Sequence, residues 1–405
     1  AATLSVTGSK YDGDIKEISY SVGGSSTPIT SNISGGRLGG LLAFRDEILE
    51  PSRNAVGRIG VVLAQTFNQQ HKLGLDLNGN MGGDFFDSAS PVVNADPSNG
   101  GSATLVVSYD LSSIQDLTTQ DYILSYDGSN WSLKTTDGTA VSMSGSGTSA
   151  SPFNFDGIDV VVSGTASAGD SFLIRPTRDG ARDFGLALGD VRAIAAAAPV
   201  RITEATDANG LPINTGDGSF RLRSVTSDFT TLSGSITFTF DDTTNTFSYT
   251  DGGSLSGTIS YDPAADNGST YTVGEVSFRV TGTPDNGDSF VISANTDGAG
   301  DNANALALAS LQTADKLEGG TTNLQGAYGQ LIGDMATQTR QAEINYDAQE
   351  ALNRQAQAAR DSLSGVNLDE EAANLVRYQQ AYQAMARVVT VADTMFQTLL
   401  SAVQR

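Results

Sequence analysis

The sequence predicts an α+β multidomain protein, in which a discontinuous helical-bundle and coiled-coil domain carries two related antiparallel β modules as insertions. Three observations predict it. Helical periodicity runs from Leu38 to about Leu73, stops, and resumes only beyond Leu306. Short alternating β runs, separated by clusters of Gly, Asn, Asp and Ser, fill the interval. The C-terminal stretch repeats apolar residues every seven positions.

A chain of 405 residues suits several domains rather than one. Its formal net charge of −23 opposes any general affinity for phosphate backbones, so no nucleic-acid partner is expected. No apolar run approaches the roughly 20 residues of a membrane-spanning helix, so no membrane insertion is expected. The absence of cysteine excludes a disulfide scaffold, a thiol nucleophile and thiolate metal sites. One histidine, His71, leaves little for histidine-based catalysis or zinc binding. The expectation is a non-enzyme without cofactor or metal.

Residues 1–104 read as short strands followed by a kinked helix, the first part of the helical core domain. Thr3–Thr7 and Ile18–Val22 alternate in strand fashion. Leu38, Leu41, Leu42, Ile48 and Leu49 then form a helical stripe that Val56, Ile59, Val62, Leu63 and Phe67 continue. Pro51 interrupts it, and its missing N–H predicts a kink or a fresh helix start. Residues 105–192 form β module one and residues 193–309 form β module two. Residues 310–405 supply the C-terminal helices that complete the core domain.

The second module reads as a duplicate of the first. Tyr122–Asp127 aligns without a gap to Ile236–Asp241. Ser163–Phe172 matches Thr281–Phe290, including the shared Gly-Asp-Ser-Phe, and Asp179-Gly180-Ala181 matches Asp297-Gly298-Ala299. Leu186-Ala187-Leu188 pairs with Leu306-Ala307-Leu308. Preserved order with small drifts in offset is the mark of duplication followed by loop insertion.

From about Ala327 the chain is helical. Leu331, Met335, Ala342 and Leu352 mark one helix, with Gly365 as its C-terminal cap. The next starts near Asn367 or Leu368, with Asp369, Glu370 and Glu371 in the first turn, where acids suit the helix dipole. Leu368, Leu375, Tyr382, Val389, Phe396 and Val403 recur at seven-residue spacing. Tyr378, Met385, Ala392 and Leu399 follow three residues behind. Together they make an a/d seam, the candidate assembly surface.

Other motifs favour structural readings. The loop Asp76–Asp84 alternates oxygen-bearing residues as a calcium loop does, but lacks Gly at the sixth position and Glu at the twelfth, so a Gly/Asn turn is preferred. His71, beside Lys72, reads as a packing or capping residue. Asp241-Asp242 is a carboxylate pair of the kind glycoside hydrolysis needs, but in a chain with 46 acidic residues such pairs arise freely. Trp131 with Tyr122 and Tyr126 reads as sandwich core rather than a sugar-stacking face.

The stretch Gly39-Gly-Leu-Leu-Ala-Phe-Arg-Asp46, followed by Phe67–Gly79 and Gly83-Asp-Phe-Phe86, resembles the flagellar hook-associated protein 1 family, the hook–filament junction proteins. So does the tail Ser364–Leu375, continued by Tyr378-Gln-Gln-Ala-Tyr382 and Met395-Phe396. The tail is shared among rod, hook and junction proteins, and the Phe67–Gly79 stretch selects the junction family. The matches cover residues 38–86 and 325–405. The resemblance implies a structural, non-catalytic protein of the bacterial flagellum, a ring of subunits at the junction between hook and filament. It implies extracellular location after type III export without a cleaved signal. The implied partners are further copies of the chain, hook protein, hook-associated protein 3 and a cytoplasmic export chaperone. It also implies an N-terminal helical segment that pairs with the C-terminal helix, so the expectation is the C-terminal portion of a longer chain. The alternatives are another axial protein (hook protein or hook-associated protein 3), or a secreted carbohydrate-binding or adhesive β protein.

Overall fold

The computed structural model describes residues 3–23, 25–226, 229–232, 234–296, 298, 300–364 and 368–403. The chain divides into two compact units, residues 1–335 and 336–405. Gly365 and Asn367, like Asp297 and Ala299 of the repeat, lie outside the described residues.

Unit one opens with a three-stranded antiparallel sheet of β1 (Thr3–Gly8), β2 (Lys16–Val22) and β3 (Ser25–Pro28). The turn between β1 and β2 is tethered by charge. Lys10 Nζ lies 2.8 Å from Asp96 Oδ2, and Arg175 Nη1 lies 2.6 Å from Asp12 Oδ2.

The first helical stretch comprises α1 (Gly36–Ala43), a π-helical turn at Phe44–Leu49, and α2 (Glu50–His71). Pro51 sits in the first turn of α2, where its missing N–H leaves no helical bond unmade. The irregularity therefore comes just ahead of Pro51, as a π turn. One side of α2 is buried through Gly57, Val61, Val62 and Ala64. A Cβ on Gly57 would stand 1.8 Å from Thr177 O, so the helix backbone lies directly against the 177–180 segment. Arg53–Asp179 at 2.6 Å and the Arg178–Glu50 pair lock this seat.

Module one follows β4 (Phe86–Asp87) and contains β5 (Val92–Ala95), β6 (Thr104–Tyr109), β7 (Tyr122–Tyr126), β8 (Trp131–Thr135), β9 (Ala140–Val141), β10 (Phe153–Phe155), β11 (Ile158–Ser163) and β12 (Ser171–Arg175). A five-stranded sheet, β5-β12-β7-β8-β9, accompanies a three-stranded sheet, β10-β11-β6, around a core that includes Tyr122, Leu124, Ile158, Val160 and Ile174. Strand β5 lies ahead of residue 105, where the sequence reading begins the module. Its four-residue alternation is too short to stand out, and the pairing of Arg175 with Val92 through Phe172 with Ala95 draws it into the sheet.

After β13 (Gly185–Leu186), module two contains β14 (Val200–Glu204), β15 (Ser219–Val225), β16 (Ile236–Asp241), β17 (Thr246–Thr250), β18 (Ser256–Ser260), β19 (Thr270–Val273), β20 (Val276–Thr281) and β21 (Ser289–Ala294). Its sheets run β14-β21-β16-β17-β18 and β15-β20-β19, strand for strand the order of module one. Side-chain locks correspond as well. Asp170 accepts the backbone N–H groups of Gly100, Gly101 and Ser167, and Asp288 accepts those of Thr215, Gly216 and Asp285. Asn99 brackets the backbone of Ser171 as Asn214 brackets that of Ser289. Module two fills its core with stacked aromatics, Phe220 lying 4.3 Å from Phe290 and 4.8 Å from Phe278, ring centre to ring centre.

The similarity ends beyond the last strands. Leu186 belongs to β13, which pairs with β4, whereas Leu306-Ala307-Leu308 lies in the helix α3 (Ala303–Ser310). The alternating alanines at 303, 305, 307 and 309 give that segment high helix propensity, and a glycine begins the other. The helix α4 (Leu324–Ser364) buries Ala327 and Leu331 in its first turns, Ala327 within the core of module one. Unit two consists of the remainder of α4 and the helix α5 (Leu368–Val403).

Candidate assembly surface

Helix α5 starts where three acids, Asp369, Glu370 and Glu371, face the unsatisfied N–H groups of its first turn. From Leu375 to Val403 the only charged residues are Arg377, Arg387 and Asp393. None occupies an a or d position, because each falls two, four or five residues past a seam residue. Seven residues nearly complete two helical turns, so the seam runs along one side.

Every seam side chain is exposed. Relative exposure is 80% for Leu368, 68% for Leu375, 73% for Tyr378, 78% for Tyr382 and 66% for both Met385 and Val389. Phe396 is 62% exposed, Leu399 64% and Val403 84%. Large apolar side chains at this density are what a helix normally buries, each contributing about 1.5–3 kcal/mol on burial.

The sequence reading missed part of the surface. Val388 and Met395, each one residue ahead of a seam position, are exposed at 61% and 66%, and Leu400 is 46% exposed. They widen the strip from an a/d line to a three-in-seven face in the C-terminal half. A face that wide exceeds a two-helix coiled-coil seam and matches the ordinary stripe of a helix packed on a core. The signal was present as a third seven-residue register, Ala381, Val388, Met395 and Ala402.

The hydroxyls on this half are already satisfied. Thr390, Thr394 and Thr398 donate to the carbonyls of Ala386, Thr390 and Thr394 at 2.8, 2.7 and 2.7 Å. These three threonines lie off the a/d seam, Thr394 seven residues after Arg387, so the polar atoms on the seam itself are the phenol hydroxyls of Tyr378 and Tyr382.

The remaining candidates have structural occupations. His71 is fully buried, with Nδ1 2.8 Å from Gly83 O and Nε2 accepting the Ala195 N–H at 2.9 Å, which fixes the neutral Nδ1–H tautomer. Asp76 accepts the backbone N–H groups of Asn78 and Asn80 at 2.8 and 2.9 Å. Burial pushes its carboxyl up, but these bonds outweigh it and hold the group below its ordinary range. Trp131 packs against Tyr126 and Phe172 beside the module one core. Asp241 closes the turn after β16 by accepting the Thr243 N–H.

The buried charges of unit one secure α2 and the first hairpin. Asp96, held by Lys10 and by Ser98 against the opposing effect of burial, titrates at about 2. Asp121 is pushed up to about 6, because burial outweighs Arg175, Arg178 and the amide of Asn54 on α2.

Two β modules borne by helical segments, with a long terminal helix whose apolar face is uncovered, is a layout suited to assembly. Residues 359–402 match the C-terminal region of the flagellar basal body rod FlgEFG proteins, which puts that helix in the flagellar axial class. Residues 1–86 match the flagellar hook-associated protein FlgK helical domain, and residues 94–176 match the flagellar hook-associated protein 1 D2-like domain. The flagellar hook junction protein FlgK of Burkholderia pseudomallei is similar in structure, with a TM-score of 0.76 and 32% identity over 89% of this chain and 70% of that one. The chain belongs to the flagellar hook-associated protein 1 (FlgK) family. The hook-associated protein 1 of Escherichia coli K12 is 25% identical and that of Salmonella typhimurium LT2 26%, each over 90% of this chain. The chain spans about half the length of these curated relatives.

Proposed function

We propose that this protein is a non-catalytic structural component of the bacterial flagellum, joining hook to filament and assembling through its terminal helices into a ring. Family membership supports the location, and the uncovered face of α5 carries the mechanism. Leu375, Tyr382, Val389 and Phe396 lie in water in the single chain, and burying them against helices of neighbouring subunits supplies the driving force. Copies of this chain, hook protein and hook-associated protein 3 are the structural partners, and a cytoplasmic chaperone covers the C-terminal region before type III export. No cofactor, metal or nucleic acid enters this function.

The test is Leu375→Asp combined with Val389→Asp, introduced into the gene of a motile strain. The variant should be made and exported, hooks should form, and filaments should fail to attach, with flagellin released into the medium. Full motility of that strain would remove the seam from the assembly mechanism.

A further inference from the structure

The two modules share their strand order but not their charge. Module two, residues 193–309, has four basic residues, Arg201 on β14 and Arg221, Arg223 and Arg279, against fourteen acidic ones. The last three are exposed on the smaller sheet, β15-β20-β19. Arg221 and Arg279 stand directly opposite each other across β15 and β20, and Arg223 is the extra residue at the β15 bulge. Like charges in directly opposed positions destabilise a sheet. Among the described residues no ion pair relieves Arg221, Arg223 or Arg279, and Arg279 only donates to Gly268 O at 2.8 Å. At the corresponding place in module one stand Val106 and Val161, paired across β6 and β11.

The acids are placed just as unevenly. Antiparallel strands alternate direction, so the loops β14–β15, β16–β17, β18–β19 and β20–β21 gather at one end of module two. That end exposes Asp217, Asp241, Asp242, Asp262 and Asp285, and those loops contain no basic residue. In module one the same end has three aspartates, of which Asp96 and Asp170 are buried and only Asp127 is exposed. Module two is therefore electrostatically polar, with an arginine face and an acidic pole, and module one is not.

We propose that the arginine face of module two binds the acidic pole of module two in a neighbouring copy of this chain, head to tail. The arginine face cannot pair with itself, and copies carrying −23 each repel unless patches of opposite sign meet. A contact between two different patches of identical chains propagates around a ring. The head-to-tail sense rests on the ring reading above; the contact itself uses none of the α5 seam.

The test uses the full chain with Leu375→Asp and Val389→Asp, so that apolar association through α5 is removed. Sedimentation velocity at low salt should show self-association whose Kd weakens by about tenfold or more as added salt screens the contact. Arg221→Glu with Arg279→Glu should abolish it, as should Asp242→Lys with Asp285→Lys. Mixing those two reversed variants should restore association, which also shows that both are folded. Absence of association at low salt, insensitivity to salt, or a mixture that stays monomeric overturns the proposal. A failed seam, by contrast, would appear as an unaltered chain that associates at high salt, where the charged contact is screened, no more strongly than the Leu375→Asp, Val389→Asp parent.

Discussion

Helices α2 and α5 are both read from periodic apolar residues, yet one is seated and the other bare. In α2, Val61 and Val62 are fully buried, and Gly57 lets the helix backbone touch the 177–180 segment. In α5 no described residue is buried, although its apolar face is wider. The difference lies in how each face is finished. The seat of α2 has specific polar partners, with Asn54 bonded to Thr119 O and Asp121, and Asn68 bonded to Phe86 O. The face of α5 is aliphatic and aromatic, with the phenols of Tyr378 and Tyr382 as its polar atoms. Specific polar pairing fixes one partner within the chain, whereas a plain apolar strip suits the repeated neighbours of an assembly.

The sharpest way to break this comparison is to place the same charge in both helices. Val61→Asp buries an unpaired carboxylate in the module one core and should destabilise unit one by about 4 kcal/mol or more. Val389→Asp puts its charge into water in the single chain and should leave thermal unfolding of unit one unchanged. Near-ultraviolet circular dichroism during heating separates the two. Equal destabilisation by both would mean that α5 is seated within the chain and is no free surface.

The second contrast is in pH. Asp121, bonded to Asn54 of α2, titrates at about 6 in the folded chain, above its ordinary value of 3.8. A raised carboxyl favours the protonated folded form, so its contribution to stability falls as pH rises from about 4 to about 6 and then stays level. Asp121→Asn should therefore stabilise the chain above pH 6 by about 1–3 kcal/mol and have little effect near pH 4. Asp96 acts in the opposite sense, and its contribution is lost as pH falls through about 2. Assembly through α5 should be flat from pH 5 to 8, because no titratable group in that range lies on its seam. A melting difference between the parent and Asp121→Asn that does not vary with pH would remove Asp121 from the pH response.

Much of this was legible beforehand because periodicity survives in a single sequence. Strands β6, β7, β11, β12, β16, β20 and β21, the α2 stripe and the seam residues stand out by spacing alone. What did not stand out depends on partners far along the chain. Strand β5 is four residues long and is defined by β12, nearly eighty residues later. The polarity of module two needs the register that sets Arg221 opposite Arg279, which composition does not contain. Leu306-Ala307-Leu308 misleads for the converse reason, since a match to residues 186–188 does not outweigh the helix propensity of its own alanines.

The smallest expected effect sharpens the comparison most finely. Thr394 donates to the carbonyl of Thr390, four residues earlier, and so spends its hydroxyl within the helix. Thr394→Val removes that bond but keeps the branched shape, so the single chain should change by no more than about 0.5 kcal/mol. If the α5 face is dry in the assembly, the valine variant should assemble as well as the parent, because no neighbour uses the hydroxyl. Met385→Asp, on the seam itself, should prevent assembly by carrying a charge into the apolar contact, whereas Thr394 stands seven residues after Arg387 and off the seam. Motility and filament attachment in a strain lacking the chromosomal copy would read both variants. Loss of attachment in Thr394→Val would show that the hydroxyl bonds to a neighbour, and that α5, like α2, is held by specific polar pairing rather than by an apolar strip.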